Sequence, residues 1–172
     1  LGLDAKGLED LLSARTATKN LPWEHPDKVL DAVKRASDSN IDGVSIKGFP
    51  EPADGNTSFI LRNAKQYQKE ASGDAFLSFD KNGVSFDNVD EAGKLIDRKW
   101  GHSSIFDDAG NIANQNRANS LLEQANRQLN AADGTPIKWE ISTSKGAEDI
   151  QDLFELNNID IEVVHKVQET IL

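Results

Sequence analysis

Two hydrophobic periods alternate along this chain, and the switches between them mark its elements. In FILRNAKQYQKEA (59–71), Phe59, Ile60, Ala64, Tyr67 and Ala71 recur at helical spacing. Thr57 or Ser58 can cap that helix, and Ser72-Gly73 ends it. Short extended segments follow. AFLSF (75–79) leads into DKNG, a hairpin turn with Asn82-Gly83 at its tip. VSFDNV (84–89) alternates, with Val84 and Phe86 inward and Ser85 and Asp87 outward. DEAG makes another turn, and KLIDRKW (94–100) reads as a third strand. After a polar loop (101–114), residues 116–134 form the strongest helical pattern, with an apolar stripe of Ala118, Leu121, Leu122, Ala125, Leu129 and Ala132 that Gly134 stops. TPIKWEIST (135–143) is a strand, Ser144 can cap a helix over 145–157, and IDIEVVH (159–165) is the last strand. The order helix, three-strand meander, helix, strand, helix, strand predicts an α/β fold with a mixed sheet.

Residues 1–55 read differently. LEDLLSA (8–14) is a short helical pattern and LPWEHP (21–26) a turn. Pro26 opens a helix over DKVLDAVKRA, with acids early and bases late. IDGVSIKGF is a short strand pair inside a stretch rich in Gly, Pro and Asp. The expected organisation is a mostly helical leader and linker over 1–55 and a folded domain over 56–172. Such a domain is of ordinary size.

Composition narrows the chemistry. With no cysteine among 172 residues, disulfides, thiolate zinc sites and cysteine nucleophiles are excluded. No apolar run approaches the roughly 18 residues of a membrane span. The start LGLDAKGLEDLL has neither the basic nor the apolar region of a signal peptide, and the chain has no Met, so a fragment or processed product of a longer polypeptide is expected. The net charge is −10; residues 1–75 carry −2 and residues 76–172 carry −8. That balance opposes generic nucleic-acid binding, which wants a basic face, although carboxylates gathered round a divalent cation change sign as a group.

The candidate chemistry lies in VSFDNVDEAGKLIDRKW. Asp97 and Lys99, two apart on a strand, share one face, and Ile96 and Arg98 point to the other. If the flanking strands pair through DEAG, Asp87 falls near Asp97. Two carboxylates and a lysine on one face suit a hard cation such as Mg²⁺, which wants oxygen ligands. The cation activates water for attack on phosphorus, and the lysine orients that water or neutralises the phosphate. The plain alternative is a solvated cross-strand ion pair worth under about 1 kcal/mol.

In order along the chain, YQKEASG (67–73), GVSFDNV (83–89), LIDRKWG (95–101), QANRQLNAADGTPIKWEI (124–141) and IDIEVVH (159–165) resemble the restriction-endonuclease-fold, or PD-(D/E)xK, toxin domains found at the C-termini of bacterial polymorphic toxins. The resemblance implies a restriction-endonuclease-like core with Asp87 as first acid, Asp97 as second acid and Lys99 as the lysine. Gln124 and Gln128 match the family's two helix glutamines, and Trp139 its strand Trp. Asn88 stands where the family usually has Gly; Asn tolerates positive φ. Related folds often draw a further metal-site acid from the preceding helix, which here is Glu70; a solvated helix charge is the plain reading. The resemblance also implies a divalent metal (Mg²⁺ first, Mn²⁺ or Zn²⁺ as alternatives), a cognate immunity protein and a larger N-terminal carrier. It implies delivery as a secreted effector acting in the target-cell cytoplasm.

The remaining chemical residues read as structural. Trp139 is expected in the core, and Glu140, opposite it, in solvent. His102 is close enough to the lysine strand to serve as a proton donor, but reads better as a plain loop histidine; His25 and His165 read as structural. Asp107-Asp108 resembles a turn cap. Neither GxGxxG nor GxSxG is present. Three function classes therefore stay open: a metal-dependent DNase toxin, an RNase (for example, cleaving transfer RNA) on the same fold, and a non-catalytic acidic module that binds a basic protein.

Overall fold

The computed structural model describes residues 2–3, 26–46, 59–74, 77–101 and 104–172. The elements in chain order are β1 (Gly2–Leu3), α1 (Pro26–Ser37), β2 (Gly43–Ile46), α2 (Phe59–Ser72), β3 (Leu77–Lys81), β4 (Val84–Phe86), β5 (Asn88–Val89), β6 (Leu95–Lys99), α3 (Gln115–Ala132), β7 (Ile137–Ile141), α4 (Ser144–Leu156) and β8 (Glu162–His165). The expected 8–14 helix, the 21–25 part of the LPWEHP turn, the Thr57 or Ser58 cap, His25 and His102 lie outside the described residues.

Two four-stranded sheets form among the described residues, one ordered β1-β2-β3-β4 and one ordered β5-β6-β7-β8. The first is antiparallel throughout. In the second, β5 runs antiparallel to β6, while β6, β7 and β8 are parallel. The fold is therefore mixed α/β, as the order of elements predicts. The Asn82-Gly83 turn joins β3 to β4 with both residues at positive φ, 47° and 83°, which matches the twist of the paired strands. The expected strand over 84–89 is divided: a single residue, Asp87, separates β4 from β5 and passes the chain from one sheet to the other.

The helices use both faces of the second sheet. α3 is capped by Asn114, whose side chain accepts from the Arg117 amide, and it closes on Asp133 in the left-handed region. Its buried face is Ala118, Leu121, Ala125, Gln128, Ala131 and Ala132, so a glutamine stands inside the apolar stripe. α4 is capped by Thr143 rather than Ser144; the Thr143 hydroxyl accepts from the Gly146 amide. Phe154 of α4 packs edge-on against Trp139 at 4.9 Å between ring centroids.

On the opposite face, α2 differs from its expected stripe. Phe59 and Ile60 are exposed, while Asn63, Tyr67 and Ser72 are buried. The reason is the C-terminal segment, which runs along α2 and draws on polar partners. Tyr67 Oη donates to the Lys166 carbonyl at 2.6 Å, and Gln168 Nε2 donates to Asn63 Oδ1 at 2.9 Å.

Residues 1–55 do not behave as a leader where they are described. Val29, Ala32, Val33 and Ala36 of α1 and Val44 of β2 belong to the same buried cluster as Phe79, Trp139 and Val163. β2 pairs with β3 from Gly43↔Asp80 to Ile46↔Leu77. Gly- and Pro-rich flanks read as a linker, but the apolar face of α1 packs into this core.

Candidate active site

The site is built where β6, between β5 and β7 in its sheet, faces α3. The register Asn88↔Ile96 and Val89↔Leu95 carries the hairpin back so that Asp87 stands across from Asp97. Two hydrogen bonds lock that junction: the Asp87 amide donates to the Ile96 carbonyl at 2.8 Å, and the Arg98 amide donates to Asp87 Oδ2 at 2.8 Å. The junction is also held from α1, as Arg35 donates to the Val89 carbonyl at 2.6 Å and to Asn88 Oδ1 at 2.9 Å. Asn88 has no positive φ; it serves through its side chain, so glycine is not required there.

Three donors converge on one oxygen of Asp97. Gln128 Nε2 lies 2.7 Å, Gln124 Nε2 3.2 Å and Lys99 Nζ 3.3 Å from Asp97 Oδ2. The glutamines are fixed in turn. Trp139 Nε1 donates to Gln128 Oε1 at 2.7 Å, and Lys99 Nζ donates to Gln124 Oε1 at 2.7 Å. Trp139 is paired with Asp97 in the parallel register, and the Lys99 ammonium stands 4.3 Å from its ring centroid, within reach of a cation–π attraction. All three contacts fall on Oδ2, and Asp97 also interacts with the Asp87 side chain. Each residue thus satisfies its neighbour, and the network orients Lys99 and Asp97 without using up the Asp97 carboxylate.

The Asp87 carboxyl is pushed up from its ordinary 3.8 to about 8, first by burial and then by the charge of Asp97. Lys99 and the Arg98 amide pull the other way without prevailing. Two carboxyl groups in contact cannot both ionise cheaply, so one keeps its proton.

Asp87, Asp97, Lys99, Gln124 and Gln128 are therefore brought together. Glu70 is not joined to them: its oxygens accept from the Glu169 amide at 2.6 Å, the Thr170 amide at 3.0 Å and Gln66 Nε2 at 3.0 Å. It anchors the C-terminal segment. Trp139 is wholly buried, as expected of a core residue. Glu140 is not a solvent-facing acid; it pairs with Arg98 at 2.8 Å, and both side chains are largely buried. His165 is exposed at the end of β8, 3.3 Å from the Ser142 carbonyl. Asp107 caps a turn, its Oδ1 accepting from the Ala109 and Asn111 amides.

Arg98 is the supporting residue that strand alternation identified only as facing away. Its Nη1 donates to the Tyr67 carbonyl at 2.7 Å and its guanidinium stacks 4.5 Å from the Tyr67 ring centroid. A basic residue between the acid and the lysine was the available signal.

No family model, no curated protein and no solved structure matches the chain.

Proposed function

We propose that this protein is a metal-dependent nuclease with Asp87, Asp97 and Lys99 at its centre, and that its substrate is the phosphodiester backbone of DNA. The observation that carries the reading is the convergence of Lys99, Gln124 and Gln128 on one oxygen of Asp97 beside a carboxyl, Asp87, that is pushed up to about 8. A solvated ion pair needs none of that support. The order from α2 to β8, a helix, two short hairpins, then helix, strand, helix, strand, also supports a restriction-endonuclease-like core.

The residues fit a hard divalent cation. The two acids supply only oxygen donors, which suits Mg²⁺ and leaves positions for water and phosphate oxygens. Positive charge between them would relieve both the repulsion and the desolvation that hold the Asp87 proton. When bound, such a cation lowers the pKa of water and offsets charge developing at phosphorus.

The chain's own residues do the rest. Asp87 and Asp97 would hold the cation, with Gln128 keeping Asp97 in place. Lys99, aimed by Gln124 and the Trp139 face, donates to the attacking water or to a non-bridging phosphate oxygen. Water oxygen would add to phosphorus as its proton passes to solvent, one P–O ester bond would break, and the leaving oxygen would take up a proton to become a hydroxyl. The resemblance set out above extends the proposal to a toxin domain delivered by a larger carrier into competing bacteria and blocked by an immunity protein.

The test is plasmid cleavage with Mg²⁺, with EDTA, and with Asp97→Ala and Lys99→Ala. Cleavage that needs metal and falls at least about a hundredfold in both variants is expected, the usual scale for losing one preorganised electrostatic group. Intact plasmid under Mg²⁺, Mn²⁺ and Zn²⁺ would sink the DNase reading. Total RNA in the same buffers would then separate a ribonuclease from a protein-binding module.

A further inference from the structure

Beyond the five residues of the candidate site, the same helix face carries a sixth. Arg117, Leu121, Gln124 and Gln128 follow one another at spacings of four, three and four along α3, so they form one stripe. Gln128 and Gln124 address Asp97 and Lys99. About two turns before Gln124 on that stripe, Arg117 lines a small cavity with Lys99, Gly101, Ile105, Leu121, Ile141, Gly146 and Ile150. Its Nε is fully buried and has no hydrogen-bond partner among the described residues.

An arginine in that position is unusual. The guanidinium is always charged and offers five donors. Buried donors are normally satisfied, because an orphan costs about 1–3 kcal/mol. Among the described residues no carboxylate lines the cavity, and Ile105, Leu121, Ile141 and Ile150 make much of its wall apolar. The aliphatic stem explains why Arg117 packs there, but not why Nε is left open beside a second cation, Lys99. An anionic oxygen answers both donors at once. The cavity measures about 10 Å³, which is room for about one oxygen atom, so most of any bound group must stay outside. It opens at the C-terminal ends of β6 and β7, where open parallel sheets present their crevice. Gly146, in the first turn of α4, adds the favourable end of a helix dipole.

We propose that Arg117 is a substrate-binding residue: it takes one non-bridging oxygen of the backbone phosphate next to the scissile one, with Lys99 between the two phosphates. This rests on the nuclease reading for the identity of the ligand, but the anion pocket itself does not. Arg117 sets where the strand lies over the acids; it takes no part in proton transfer or metal binding.

The test begins without catalysis. Arginine Nε–Hε correlations of ¹⁵N-labelled protein are recorded in EDTA as inorganic phosphate is added, with Arg117 assigned by its loss in Arg117→Lys. A saturable shift of the Arg117 signal, kept in the charge control Arg62→Gln, is expected. No shift, or equal drift of all arginine signals, would overturn the pocket as an adventitious ion effect. Binding of duplex DNA in Ca²⁺ should weaken about tenfold in Arg117→Gln, the scale of one charge-assisted hydrogen bond, and its log–log salt slope should drop by about one. Under turnover, Arg117→Lys should raise KM with kcat little changed. Metal-dependent cleavage with KM, kcat and salt slope unaltered by Arg117→Lys and Arg117→Gln would refute Arg117 and leave the nuclease standing. A phosphate shift in a protein that cleaves neither DNA nor RNA would keep the anion pocket and remove the nuclease.

Discussion

Gln128 shows how one residue ties packing to chemistry. It is buried within the apolar stripe of α3, accepts from Trp139 and donates to Asp97. Gln128→Leu fills the same space but strands the indole N–H and removes a donor from a carboxylate. A loss of about 1–3 kcal/mol is expected for such an orphaned group, read as a lower urea midpoint with an unchanged slope. An effect under about 0.5 kcal/mol would mean that the network is not holding Asp97. Gln128 was legible in the sequence as a motif match and as a polar residue three after Ala125 and four before Ala132 on the apolar face. Arg117 carried no such mark, since an arginine in the first turn of a helix looks like solvent-facing charge.

Asp87 yields a pH dependence of definite sign. Its carboxyl is held near 8 in the folded protein against 3.8 ordinarily, so the folded state keeps a proton that the unfolded state has lost. The stability this supplies is complete below about 4 and drains away as pH rises through about 8. In EDTA, the thermal midpoint should therefore fall from pH 5 to pH 8 more steeply in the unsubstituted protein than in Asp87→Asn. Parallel pH profiles would show that Asp87 ionises freely. Neither the proton nor its cause was readable from spacing, because both come from burial and from the contact with Asp97.

At the scale of elements, β6 is the strand everything else aims. One face presents Asp97 and Lys99 to α3; the other sends Arg98 to Glu140 and to Tyr67 of α2. Alternation predicted those two faces but not what met the second. Arg98→Met leaves Glu140 largely buried and facing Lys138 at 3.8 Å among the described residues, and should cost about 3 kcal/mol, as breaking a buried pair does. Arg98→Met with Glu140→Leu should recover most of it. Additive losses in a double-mutant cycle would contradict the pairing. Helices α1 to α4 were legible from their period to within a few residues, whereas the cap of α4 is Thr143 and not the expected Ser144. The division of the expected 84–89 strand was not, because a bend at one residue leaves the in–out pattern unchanged. The polar face of α2 was hidden for a different reason: Asn63 and Tyr67 are buried by a segment about a hundred residues away.

At the scale of the molecule, the surplus of acid has a place of its own. Asp107, Asp108, Glu148, Asp149, Asp152 and Glu155 line a groove of about 630 Å³ that shares no residue with the Asp97 network. A chain with a net charge of −10 is thereby compatible with a local cationic pair, Lys99 and Arg117. The expected division at residue 55 rested on composition, which marks where a chain is irregular and not what it rests on, and α1 and β2 share the core with the later elements.

The pairing of β2 with β3 reaches beyond the fold itself. A chain trimmed to 56–172 would keep every candidate site residue and lose the strand that covers Leu77 to Asp80 together with the apolar face of α1. An uncovered strand is a template for strand addition. Such a trimmed protein should oligomerise as its concentration rises, seen as growing mass in light scattering, while the whole chain does not. A monomeric fragment that melts at the same temperature would disprove this. The first stretch thus acts as a covalent edge guard, sparing neighbouring copies from templating on one another.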